Sequence, residues 1–161
     1  MAEAPTQCVA IFSIQPRFAS AILDGIKQVE FRKTRLRSSV SSIIVYASAP
    51  VQLVVGAFSI KAVDYADPQE LWRRYGVTGG ITRKELLAYY ANTQIGAAIL
   101  IGEVQRLPHP IKLRDLDARL RPPQSFQYAH MTMLEALSAD LPLVRTASQE
   151  HNKSTQLALA S

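Results

Sequence analysis

Short apolar strands, a lone helix and a capped helical pair predict an α+β domain in this 161-residue chain, wrapped around one small β-barrel. Three observations carry that expectation. Apolar runs at 8–14, 42–48, 52–60 and 97–104 have strand lengths and strand periods. Helices are punctuated by proline at their starts and glycine at their ends. Gly56 interrupts one strand where a small closed sheet needs a bend.

The elements follow in order. CVAIFSI, 8–14, is a continuous apolar run suited to a buried strand. Pro16 opens a helix over 16–24, because its fixed φ suits the first turn and its missing N–H is no loss there. Phe18, Ala21 and Ile22 give that helix one apolar face, and Gly25 ends it in a left-handed conformation. Val29 and Phe31 then alternate with Gln28, Glu30 and Arg32, the period of a half-buried strand. SIIVYAS and QLVVGAFSI are two more strands, joined at Ala49-Pro50. Asp67-Pro68 starts a second helix that places Leu71, Trp72 and Tyr75 inward and stops at Gly76. Thr82 and Glu85 form a capping-box pattern for a third helix. AAILIGEV, 97–104, closes the sheet, and the proline- and arginine-rich segment from Leu107 to Tyr128 is expected to wrap it as loops with short pieces of structure. A short helix over 130–138 completes the domain.

Val29, Phe31, Ile44, Tyr46, Val54, Phe58, Ile99 and Ile101 are the expected core of the barrel. The domain is assigned to residues 1–140. Residues 141–161 are expected to be a mobile tail, since the sequence from Thr146 onward has too little apolar surface to offset its ordering entropy.

Composition narrows the classes. The chain is 48% hydrophobic and 19% charged, as expected of a folded globular domain. No apolar run approaches the ~20 residues that span a bilayer, so no membrane association is expected. The start MAEAPTQ lacks a basic region followed by an apolar core, so no secretory leader is expected. A single cysteine, Cys8, in an apolar run reads as a buried structural thiol. These features together lead to the expectation of a cytoplasmic protein. Net charge is +5, which favours polyanionic partners mildly, and the cations cluster in RKTRLR, 32–37. From charge alone this cluster is either a solvated loop or a phosphate-contacting edge.

The stretch GIKQVEFRK, 25–33, concentrates the chemistry. Glu30 and Arg32 are two apart on one strand and so share a face, and Gly25 launches Lys27 from a turn beside them. A carboxylate between two cations can grip a phosphate or a polar base edge. It can also support proton transfer at an amide, with lysine as base. The bland alternative is a solvated strand face whose ion pair is worth little.

SIQPRFASAILDGIKQVEFRK, VYASAPVQLVVGAFSI and RPPQSFQY, in that order, resemble an ASCH-domain protein of the PUA-like superfamily over roughly residues 8–129. The motif G-x-K-x-x-E-x-R is met by Gly25, Lys27, Glu30 and Arg32. The resemblance implies a small β-barrel with helices on its flank and a cleft, lined by the motif, between barrel and first helix. It implies RNA binding, or binding of a nucleotide-like ligand, in RNA metabolism or transcription-linked regulation. Lys27, Glu30 and Arg32 would then contact the ligand, and Lys33, Arg35 and Arg37 would attract phosphates. Arg121, Gln124, Ser125 and Tyr128 either border the cleft, with Phe126 as a buried anchor, or belong to a loop clamped onto the barrel. The rival reading is a small hydrolase in the same cleft, either a ribonuclease or an amidohydrolase on acylated cytidines. In an enzyme, Lys27 and Glu30 would be catalytic. Family members that are amidohydrolases use a lysine, a threonine and a glutamate; this chain has Glu30 at the threonine position and Gly79-Gly80 where the glutamate is expected.

No cofactor and no metal are expected: His109, His130 and His151 lack cysteine or carboxylate partners at ligand spacing. No serine lies in a nucleophile elbow. VTGGITRK, 77–84, lacks phosphate-loop spacing and reads as a turn. Trp72, Tyr75, Tyr89 and Tyr90 fall at helical spacing and read as core rather than base-stacking platforms.

Overall fold

The structure is a computed structural model and describes residues 7–138. The sequence-based tail at 141–161 lies outside the described residues. Strands β1 (Cys8–Ile14), β2 (Val29–Arg32), β3 (Val40–Ala47), β4 (Leu53–Ala66), β5 (Gly96–Ile111) and β6 (Phe126–His130) alternate with helices α1 (Pro16–Leu23), α2 (Pro68–Tyr75), α3 (Arg83–Tyr89), α4 (Leu113–Leu116) and α5 (Met131–Ser138). The fold is α+β, as the sequence predicts.

All six strands join one sheet in the order β2-β5-β4-β3-β1-β6. Only β1 and β3 run parallel, with α1, β2 and the basic loop as their crossover; the other pairs are antiparallel. β4 and β5 span 14 and 16 residues, and their ladder shifts register at Val54/Gly56, Phe58/Ile60 and Ile60/Ala62. Each shift adds local twist and bends the strand, so the sheet curls. Gly56 is necessary in that bend, because a Cβ there would lie 2.3 Å from the Gln105 carbonyl oxygen.

The barrel expectation needs correction. The ladder ends at two free edges, β2 and β6, and no pairing among the described residues joins them. The curl nevertheless brings these edges within side-chain reach. Arg32, the last residue of β2, donates to the Ser125 carbonyl at 3.3 Å beside β6 and to the Ser13 carbonyl at 3.1 Å on β1. A guanidinium bridges the seam where a ladder would have closed a barrel.

The predicted core residues are buried, except that Ile101 is only partly so, but they do not share one interior. Phe58 and Ile99 pack inside the curl with Phe12, Ile22 and Ile43. Ile44, Tyr46 and Val54 face outward under α4 and α5, with Leu113, Leu134 and Leu137. Val29 and Phe31 pack with Leu71, Leu86 and Tyr90 from α2 and α3. A sheet covered on both faces divides its apolar residues in this way. The expected loop region also proves more regular: β5 runs on through Pro108 and Pro110, and FQYAH forms edge strand β6 against β1. Prolines fit there because both lie in the register shift between Arg106, opposite Gly56, and Ile111, opposite Val54, and a bulge needs no ladder donor.

Candidate functional site

The site begins where α1 ends. Gly25 has φ +75, its N–H bonds to Ile22 O at 3.0 Å, and Ile26 N–H reaches back to Ala21 O at 2.9 Å, the paired bonds of a Schellman motif. Lys27 N–H also bonds to Ala21 O. This reversal exposes Ile26 and turns Lys27 inward, where only 2% of it meets solvent. Its ammonium donates to the Gly79 carbonyl, sits 4.9 Å and 5.1 Å from the ring centroids of Phe18 and Phe31, and lies 3.8 Å from Glu30 Oε2.

The loop between α2 and α3 makes this seat possible. Gly80 has φ +61, and a Cβ there would stand 2.8 Å from Lys27 Cβ; at Gly79 a Cβ would stand 2.7 Å from the Phe31 ring. Only glycines let the backbone close over the lysine stem. VTGGITRK is therefore a turn, as expected, and it is also the wall that holds Lys27.

β2 supplies the other two charges. Val29 and Phe31 face α2 and α3, so Glu30 and Arg32 face the inside of the curl, and all four residues are buried. Glu30 and Arg32 are each 7% exposed, so the solvated-strand reading does not describe them. Arg32 Nη2 lies 3.1 Å from Glu30 Oε1, Nη1 bonds to Ser125 Oγ at 3.1 Å, and the guanidinium stacks 4.3 Å from the Phe12 centroid. Its Nε is buried and has no hydrogen-bond partner among the described residues. Gln105 Oε1 and Gln127 Nε2 are buried in the same way, so this feature is not peculiar to the cluster.

These groups line a cavity of about 130 Å³ with Ser13, Gln15, Phe18, Ile81 and Tyr89. At ~30 Å³ per water this is room for about four waters, the scale of one phosphate or one planar ring rather than a whole nucleotide. Burial pulls the Lys27 ammonium below the usual lysine range; Glu30 opposes this, while Arg32 and Arg17 reinforce it. A lysine of lowered basicity, a carboxylate and an arginine thus share one small concavity, an arrangement typical of functional clefts. A wider depression of about 600 Å³ lies on α2 beside Trp72 and Val77. Its charged groups are already engaged: Asp67 caps α2, and Arg73 holds the Glu70 carboxyl at about 2. Size alone does not make it the better site.

The other sequence-predicted residues are scattered by comparison. Lys33, Arg35 and Arg37 are exposed, each over a tyrosine: Tyr89 at 5.0 Å, Tyr65 at 4.0 Å and Tyr128 at 4.1 Å. Ser125 reaches the cluster through Arg32. The Tyr128 hydroxyl accepts from Arg37 N–H at 3.2 Å, outside the cavity. Arg121 turns back on its own loop to the Ala118 and Leu120 carbonyls, and Gln124 is exposed; neither lines the cavity. Phe126 is half-buried against Phe12. Glu85 completes its capping box with Thr82 and pairs with Arg17 at 2.8 Å. Sequence reasoning missed the part of Gly79 and Gly80, whose adjacency is a readable signal of close backbone approach, and it assigned Tyr89, which lines the cavity, to the core. Among the described residues, no group of three His, Cys, Asp or Glu side chains is placed to hold a metal ion, and no helix is long and apolar enough to cross a membrane.

A family model described as a domain of unknown function (DUF365) matches residues 7–117. The ASCH domain-containing ribonuclease of Zymomonas mobilis is 33% identical over 132 residues, covering 80% of this chain and 88% of that protein. The chain belongs to the ASCH-domain family. The crystal structure of ASCH from Zymomonas mobilis superposes on this ASCH domain with a TM-score of 0.75 at 31% identity, covering 84% of this chain and 97% of that one. The N-terminal domain of Staphylothermus marinus McrB superposes with a TM-score of 0.50 at 13% identity, a likeness of fold alone.

Proposed function

We propose that this ASCH domain binds RNA at the Lys27–Glu30–Arg32 cleft and cleaves its backbone there, as part of RNA metabolism or transcription-linked control. The observation that carries this reading is the buried Lys27–Glu30–Arg32 cluster lining a cavity of phosphate size. The likeness to a protein named as a ribonuclease supports it.

The chemistry fits the residues. A phosphodiester brings one negative charge to a trio carrying a net charge of +1 when Lys27 is protonated, so it neutralises the cleft. The Arg32 guanidinium is already oriented by its Nη contacts to Ser125, Ser13 and Glu30, so its charge is fixed beside the cavity. Attack of a ribose 2′-oxygen on phosphorus forms a 2′,3′-cyclic phosphate and breaks the bond to the 5′-oxygen. For the attack Lys27 must first give up its own proton to water; the neutral amine then takes the 2′-hydroxyl proton, and the departing 5′-oxygen leaves protonated, with water the proton source. Its lowered basicity suits a lysine to that role. Glu30 holds both cations in place.

End-labelled RNA of mixed sequence incubated with pure protein tests this. Binding and scission are expected, and Lys27→Met should remove scission while far-ultraviolet circular dichroism stays native. A protein that neither binds nor cuts RNA contradicts the proposal. Release of the acyl group from N4-acylated cytidine, with RNA left intact, moves the function to the amidohydrolase reading.

A further inference from the structure

The cavity wall carries a feature that phosphate chemistry does not use. Tyr89, the last residue of α3, is 36% exposed and lines the cavity, whereas its neighbour Tyr90 is 2% exposed and hydrogen-bonded to the Arg32 and Ala97 carbonyls. The Tyr89 ring leans on Tyr90, centroids 5.0 Å apart, so its backing is rigid. Its cover is a lysine: Lys33 Nζ stands 5.0 Å over the ring. Lys33 is exposed and flexibly tethered, and such a cation–ring contact at an exposed site is weak. Phe18 and Phe31, the other aromatic rings of the wall, are not free in this way, since Lys27 lies over both and Arg17 over Phe18 as well.

We infer that Tyr89 is a stacking platform for one RNA base at the mouth of the cleft, with Lys33 as a displaceable cover that moves onto the adjoining phosphate. This rests on the RNA reading above and adds the group that sets how the chain is oriented. A base stacked on Tyr89 aligns its own backbone with the cavity, so the phosphate beside it enters toward Arg32 and Lys27. Stacking tolerates any base because every base has a π-face, so the platform fixes position rather than sequence. Helical spacing alone makes Tyr89 and Tyr90 look alike; the end of α3 separates them, turning one into the core and leaving the other at the opening.

Short RNA carrying 2-aminopurine at alternate positions gives the readout, since stacking quenches its fluorescence. Wild-type protein is expected to quench it on binding, Tyr89→Phe to preserve both quenching and affinity, and Tyr89→Leu to lose the quenching and weaken binding by about 5- to 150-fold. Thermal melts of both variants confirm that they are folded. Lys33→Ala should keep the quenching, because the ring stays available. Unchanged binding and quenching by Tyr89→Leu overturns the platform while leaving RNA binding intact. Absence of RNA binding by the wild type overturns the functional reading and the platform with it.

Discussion

Lys27 is the residue whose setting differs most from what its sequence context implies. A lysine just after a helix-ending glycine reads as a surface residue, and its removal would then cost almost nothing. The Schellman bonds at Gly25 and the glycine pair at 79–80 instead bury it, so removing it has a structural cost as well as a functional one. In Lys27→Met, Glu30 keeps Arg32 at 3.1 Å while the Gly79 carbonyl loses its donor, so a loss of about 1–3 kcal/mol is expected. The pH dependence has a definite sign. Folded Lys27 titrates below the unfolded value of ~10.4, so between the two the unfolded chain binds more protons and stability rises with pH. Denaturant titrations from neutral to alkaline pH should show wild type gaining on Lys27→Met through that window. A constant difference between the two would mean that Lys27 is not desolvated. The motif that marks these residues was legible in the sequence; their burial was not, because it depends on a loop some fifty residues away.

At the scale of elements, local punctuation was the dependable guide. Proline at the start of α1, the Asp67 cap of α2, the Thr82–Glu85 box of α3 and Gly56 at the bend all stand where local backbone chemistry puts them. β6 was not legible, because a five-residue edge strand after two prolines is defined only by its partner β1. The loop 33–39, which leads from β2 to β3, sits between the two edges of the sheet, with Arg35 over Tyr65 of β4 and Arg37 over Tyr128 of β6. Stacked on rings, these guanidinium groups stay ordered and remain exposed to a polyanion. Each phosphate contact releases counterions, so RNA affinity should fall steeply with salt. Arg35→Ala with Arg37→Ala should shallow the log–log salt slope by about one unit per lost contact, two if both touch phosphate. An unchanged slope would assign the loop a purely structural part.

At the scale of the whole described domain, the open seam organises the fold and positions the charged cluster. The α+β class and the buried strands follow from apolar periodicity, but closure does not: no single strand records whether its last edge finds a partner. Here β2 and β6 do not pair with each other, and Arg32 spans the gap through Ser13 and Ser125. The charged cluster therefore lies where the sheet fails to close, with the basic loop along one side and Tyr89 at the mouth. The opposite face, under α4 and α5, is packed with leucines and carries none of the cluster. Photo-crosslinking of RNA containing 4-thiouridine, with the attached peptides mapped by mass spectrometry, separates the two faces directly. Crosslinks are expected within residues 27–37 and at Tyr89, and they should fade when Lys27 and Arg32 are replaced together. Crosslinks confined to α4, α5 and the outer face of β3, unaffected by that replacement, would contradict the seam as the RNA site.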